Sequence, residues 1–138
     1  MMDSANKAYT IEIAEDDQGL AGLLADKLIL EGYNVIKAQD GEEALSIALK
    51  YHPDIIVLDV LMPKMDGMEV IKKIRADAWG STSQIMLLTN DPDTNKVEKA
   101  IVSGVFDYLV KMDFGLDEIV EKIQLRIKDM AFQKKKTP

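Results

Sequence analysis

Five short apolar runs recur along this chain, and each is followed by a segment whose apolar residues fall at helical spacing. That switching between a two-residue and a 3.6-residue period is the mark of βαβ units, which close around a parallel sheet. The runs predict strands at 9–14, 34–37, 55–58, 85–88 and 105–110. Two of them, Ile55-Ile56-Val57-Leu58 and Ile85-Met86-Leu87-Leu88, show no polar alternation. A strand that is apolar on both faces has to be covered on both, so helices are expected on either side of the sheet.

The segments between the runs supply those helices. The first, at 18–31, sets Leu20, Leu23, Leu24 and Leu28 on one face and stops at Gly32, where a left-handed C-cap suits glycine. Asp40 is placed to cap the second helix, which turns Ala44, Leu45 and Ala48 inward. Val70, Ile71 and Ile74 mark the third. The fourth is expected to start near Asp93 after Pro92, to bury Val97, Ala100 and Ile101, and to end at Gly104. On the fifth, Leu116, Ile119, Val120, Ile123, Ile127 and Met130 trace one stripe. The α/β pattern thus occupies about residues 9–131 of the 138, leaving a short tail at 132–138 whose Lys134, Lys135 and Lys136 read as solvated. A single domain, 1–138, is expected, with no room for a DNA-binding or catalytic output module, and it is large enough to bury a core unaided.

Composition removes several classes of function. A formal net charge of -7 argues against general binding of nucleic acid, which depends on clustered Lys and Arg. With no cysteine, disulfides, thiolate catalysis and cysteine-ligated metals are excluded. No apolar stretch reaches the ~18 residues of a membrane span, and Met1-Met2-Asp3-Ser4 lacks a signal-peptide layout, so membrane insertion is not expected and a cytoplasmic location is.

Ligands of an open parallel sheet bind beyond the carboxyl ends of its strands. There the chain places Glu15-Asp16-Asp17, Asp59, Thr89 and Lys111. Strand-end Asp and Thr are common as caps and turn formers, and a strand-end Lys is usually solvated. It is their joint occurrence at one sheet edge that carries information. Clustered carboxylates repel unless a cation neutralises them, and a hard divalent ion such as Mg²⁺ takes oxygen ligands while leaving positions for phosphate oxygens. A lysine charge and a threonine hydroxyl are what a transferring phosphoryl group also requires.

On these residues the chain resembles the receiver domains of two-component response regulators, stand-alone chemotaxis-regulator-like members included. The resemblance runs from about Tyr9 to Met130. It is carried by Ile13-Ala14-Glu15-Asp16-Asp17, by the run from Pro53 through Asp59 to Pro63, by Met65-Asp66-Gly67, by Leu87-Leu88-Thr89, and by Asp107-Tyr108-Leu109-Val110-Lys111. It implies a flavodoxin-like doubly wound fold with strand order 2-1-3-4-5. It also implies that Asp59 is the phosphoacceptor, charged by a histidine kinase, a phosphotransfer protein or a small phosphodonor. Glu15, Asp16, Asp59 and the Leu61 backbone carbonyl would hold Mg²⁺, or Mn²⁺ in its place, with Asp16 a direct ligand and Glu15 acting through water. Thr89 and Lys111 would attend the phosphoryl group, and Asp17 is read as a helix cap before a ligand. Thr89 and Tyr108 would act as a switch that remodels the face of the fourth helix, fifth strand and fifth helix for a downstream protein or a homodimer. Such a domain promotes only its own phosphorylation and dephosphorylation and is not expected to be an enzyme.

The chain departs from that pattern in places. Met112 stands where the family usually has a cis proline; a cis bond before a residue other than proline costs ~2.5–4 kcal/mol, so a trans Lys111-Met112 bond is expected. Phe106 shares strand parity with Tyr108 and is expected on the same face, as a partner anchor or packed on the adjoining helix. Leu61 and Asp91 flank the site, and Leu61 could slow hydrolysis by hindering water. His52 is expected exposed and Trp79 on a surface far from Asp59. An aspartate-based phosphohydrolase needs a second Asp where Leu61 stands. A pseudo-receiver that binds partners without phosphorylation would lose acidic or lysine positions that are all present here.

Overall fold

The computed structural model describes residues 9–90 and 94–136. Its strands are β1 (Thr10–Ala14), β2 (Asn34–Ala38), β3 (Ile55–Leu58), β4 (Ile85–Thr89) and β5 (Asp107–Val110). Its helices are α1 (Gln18–Leu30), α2 (Gly41–Tyr51), α3 (Gly67–Ala76), α4 (Thr94–Val102) and α5 (Leu116–Lys136). Short 3₁₀ turns precede β4 (Gly80–Thr82) and follow β5 (Lys111–Asp113). The strands are all parallel, in the order β2-β1-β3-β4-β5.

That order divides the helices between two layers. The chain steps from β1 one way to β2 and then returns to add β3, β4 and β5 on the other side, so right-handed crossovers put α1 on one face and α2, α3 and α4 on the opposite one. α5 folds back onto the α1 side. Two apolar clusters result. Ile11, Ile13, Val57, Met86 and Leu88 pack with Leu24 and Leu28 of α1 and Ile119, Ile123 and Ile127 of α5. Ile56, Leu58, Ile85 and Leu87 pack with Ala44 and Ala48, Val70, Ile71 and Ile74, and Ala100. The runs on β3 and β4 are therefore apolar throughout because they feed both clusters in alternation.

Local signals set most element ends as expected. Asp40 Oδ1 accepts the Glu43 N–H at 2.8 Å, and Asp17 Oδ1 accepts that of Leu20 at 3.2 Å, so Asp17 is indeed a cap. Gly32 and Gly104 take φ of 96° and 76° after α1 and α4. The start of the fourth helix near Pro92 and Asp93 lies outside the described residues, as does Asp91.

Three expectations are corrected. Leu23 is 56% exposed, because α1 buries Ala21, Leu24, Ala25 and Leu28, and the small alanines let the helix sit close to the sheet. Ile101 is 67% exposed, with α4 turning Ala100 inward instead. Phe106 does not share a face with Tyr108. β5 begins only at Asp107, and Phe106 occupies a bend before it, so strand parity does not reach back that far. Phe106 packs on the α1 and α5 cluster, with the Arg126 guanidinium 5.1 Å from its ring, whereas Tyr108 packs on the other cluster.

Candidate functional site

The site forms where the strand order reverses, between the carboxyl ends of β1 and β3, the place an open α/β sheet leaves a crevice. The Asp59 N–H donates to Ala14 O at 3.0 Å and the Glu15 N–H to Ala38 O at 3.1 Å, so the sheet ladder itself aims both carboxylates at this edge. Both are buried, Asp59 at 5% and Glu15 at 3% exposure, while Asp16 is exposed. Oxygens of Glu15, Asp16 and Asp59 lie within 4.8 Å of one another. Thr89 ends β4 fully buried, and Lys111 follows β5.

Lys111 closes the group. Its Nζ donates to Asp59 Oδ2 at 2.9 Å and pairs closely with Glu15 Oε1, so one ammonium bridges both buried acids. Asp59 Oδ1 accepts the Leu61 N–H at 3.2 Å, and Glu15 Oε2 accepts that of Asp17 at 3.1 Å. Burial pushes the Glu15 carboxyl up to about 7 against the opposing pull of Lys111. Burial alone would lower the lysine, yet its bonds to Glu15 and Asp59 outweigh that and hold it above the ordinary value. Every described peptide bond, Lys111–Met112 included, is trans, and Lys111 reaches the acids by way of the 3₁₀ turn. Met112 itself is exposed.

Glycine makes the floor of the site. Gly67 donates its N–H to Val60 O at 2.8 Å, and a Cβ on it would lie 2.4 Å from Asp59 O, so only glycine lets α3 start against the Asp59 backbone. Asp66 caps that helix through the Glu69 N–H at 3.0 Å. Met65-Asp66-Gly67 is thus a cap followed by a close approach.

The structure brings Glu15, Asp16, Asp59 and Lys111 together and leaves the Leu61 side chain exposed beside them. Tyr108 is half-buried on β5, one strand beyond Thr89. His52 and Trp79 lie at the opposite edge of the sheet, preceding β3 and the turn before β4, and their rings stack at 4.4 Å and 7°. Exposed His52 is as expected, but its partnership with half-buried Trp79 is not visible in sequence. Sequence reading also passed over Glu12, which is fully buried in mid-strand; the single acid inside the run Ile11-Glu12-Ile13 was the available signal.

This fold and this edge belong to one known class of domain. The chain matches the response regulator receiver domain family over residues 11–124 and belongs to it. It is 36% identical over 130 residues, 93% of its length, to the probable transcriptional regulator ycf27 of Porphyridium aerugineum, covering 52% of that protein. It is 35% identical over 114 residues to the response regulator ArlR of Staphylococcus aureus, covering 83% of this chain and 50% of ArlR. The chain spans about half the length of these curated relatives. Among solved structures it is similar to the chemotaxis response regulator CheY4 of Vibrio cholerae, at TM-score 0.77 and 29% identity, covering 86% of this chain and 98% of that one. Among the described residues no helix is long and apolar enough to cross a membrane.

Proposed function

We propose that this receiver domain takes part in phosphorelay signal transduction by accepting a phosphoryl group on Asp59. The observation that carries this is the Lys111 bridge between two buried carboxylates at the carboxyl edge of the sheet. An oxygen of Asp59 attacks phosphorus, and the bond to the donor breaks: the P–N bond of a phosphohistidine on a histidine kinase or phosphotransfer protein, or the P–O bond of acetyl phosphate. The leaving nitrogen or oxygen keeps the bonding pair. The Lys111 ammonium is already 2.9 Å from the acceptor and supplies positive charge where phosphoryl oxygens arrive. The Leu61 N–H keeps the carboxylate oriented.

The donor set fits a hard divalent cation, because three carboxylates converge with no cation but Lys111 between them among the described residues. Glu15, Asp16, Asp59 and the Leu61 carbonyl would hold Mg²⁺, or Mn²⁺ in its place, which when bound neutralises charge on the phosphoryl oxygens. The new charge then draws the Thr89 hydroxyl, and Tyr108 follows, changing the α4–β5–α5 face that a downstream protein or a second copy reads. The domain acts in the cytoplasm, modifies only itself and is not an enzyme. The exposed Leu61 side chain lies where it would hinder water, which supports a long-lived phosphoryl-aspartate; decay within seconds would count against that.

The test is incubation with acetyl phosphate and Mg²⁺ followed by intact mass. One phosphoryl adduct is expected on the parent and none on Asp59→Asn. No adduct on the parent would favour a pseudo-receiver that binds partners without phosphorylation, and an adduct persisting in the variant would move the acceptor elsewhere.

A further inference from the structure

Glu12 occupies the centre of β1, level with Ile36 on β2 and Ile56 on β3. It is 0% exposed, and neither carboxyl oxygen has a hydrogen-bond partner among the described residues. Its neighbours Ile11 and Ile13 face α1 and α5, so parity turns Glu12 with Ala14 toward the layer of α2 and α3. The buried cluster of that layer is apolar: Ala38 on β2, Leu58 on β3, Ala44 and Ala48 on α2, and Val70, Ile71 and Ile74 on α3. The charge that acts on it from the packed elements is Glu43, in the first turn of α2, and it has the same sign. An ionised carboxylate in that place would be shut off from solvent, with no donor and no counter-ion among the described residues.

We propose that Glu12 is a proton-dependent latch beneath α2: the helix seats on the sheet while this carboxyl keeps its proton, and the seat weakens as the proton is lost. Burial, with repulsion from Glu43, pushes the carboxyl up to about 9. In the unfolded chain an ordinary glutamate ionises near 4.5. Between those values the folded state holds one more proton than the unfolded state, so stability falls as pH rises, and the dependence ends above the folded value. α2 in turn is tied to the loop after Asp59, since the Gly41 N–H donates to Pro63 O at 3.2 Å and a Cβ on Gly41 would meet Met65 O at 1.8 Å. Loosening α2 therefore frees that loop. None of this depends on Asp59 being phosphorylated.

The test is urea unfolding of the full chain from about pH 6 to about pH 8, for the parent, Glu12→Gln and Glu12→Leu. One linked proton changes the folding constant about tenfold per pH unit, so over two units the parent should lose about 100-fold relative to either variant. Amide protection factors across 44–48 should fall more steeply with pH in the parent than in the variants, which keep only the shallower dependence that Glu15 gives all three proteins. Parallel pH profiles for all three proteins would overturn the proposal. Should neither variant fold, the Glu12 side-chain carbonyl carbon, followed by NMR in the parent, decides it: a neutral carboxyl at pH 7 supports the latch, and a carboxylate there refutes it.

Discussion

Single side chains decide the balance of charge at the carboxyl edge. Two buried acids share one lysine, so removing that lysine leaves them without a counter-charge, held only by the Leu61 and Asp17 N–H groups in a place water reaches poorly. Lys111→Met should cost about 1–3 kcal/mol in urea unfolding with chelator present. Mg²⁺ should then stabilise the variant more than the parent, because the ion no longer competes with an ammonium for the same oxygens. A variant as stable as the parent in chelator would mean the acids are better solvated than their burial indicates. The identities of Glu15, Asp16, Asp59 and Lys111 were readable in the sequence, since each ends an apolar run. Their pairing was not, because Lys111 and Asp59 stand 52 residues apart and meet only through strand order.

Among the elements, glycines show how place sets the sign of a substitution. Gly67 at the start of α3 faces backbone at 2.4 Å, whereas a Cβ on Gly22, inside α1, would meet nothing within 4 Å. Gly67→Ala should destabilise by about 1–3 kcal/mol through overpacking against Asp59. Gly22→Ala should stabilise by about 0.5–1 kcal/mol through helix propensity. Urea midpoints at constant m-value check both, and a shift of the same sign in the two variants would contradict the packing argument. Elsewhere an element end is held by a distant side chain. Arg75 at the end of α3 donates to Ser103 O at 2.7 Å and Gly104 O at 3.2 Å beyond α4, and to Gly80 O and Ser83 O at 2.7 and 2.9 Å. No local pattern announces that tie. The sequence did mark α1, but four leucines suggested a face that the two alanines overrule.

At the scale of the whole molecule the sheet has two unlike edges. The carboxyl edge gathers Asp59, Glu15 and Lys111, while the opposite edge holds the stacked rings of His52 and the chain's one tryptophan, Trp79. The emission of Trp79 should therefore stay unchanged on adding Mg²⁺ and acetyl phosphate, and should change in His52→Ala. A large emission change on phosphorylation would show that the event reaches across the sheet. What the sequence determined by itself was the alternation of strand and helix, the caps at Asp40, Gly32 and Gly104, and the acids and lysine at the strand ends, since periodicity and capping act within a few residues. Only the tertiary structure decided that Glu12 is sealed beneath α2, that Phe106 and Tyr108 face opposite layers, and that Lys111 bridges Glu15 and Asp59. Those outcomes depend on register and crossover, which bring together residues that no local pattern connects.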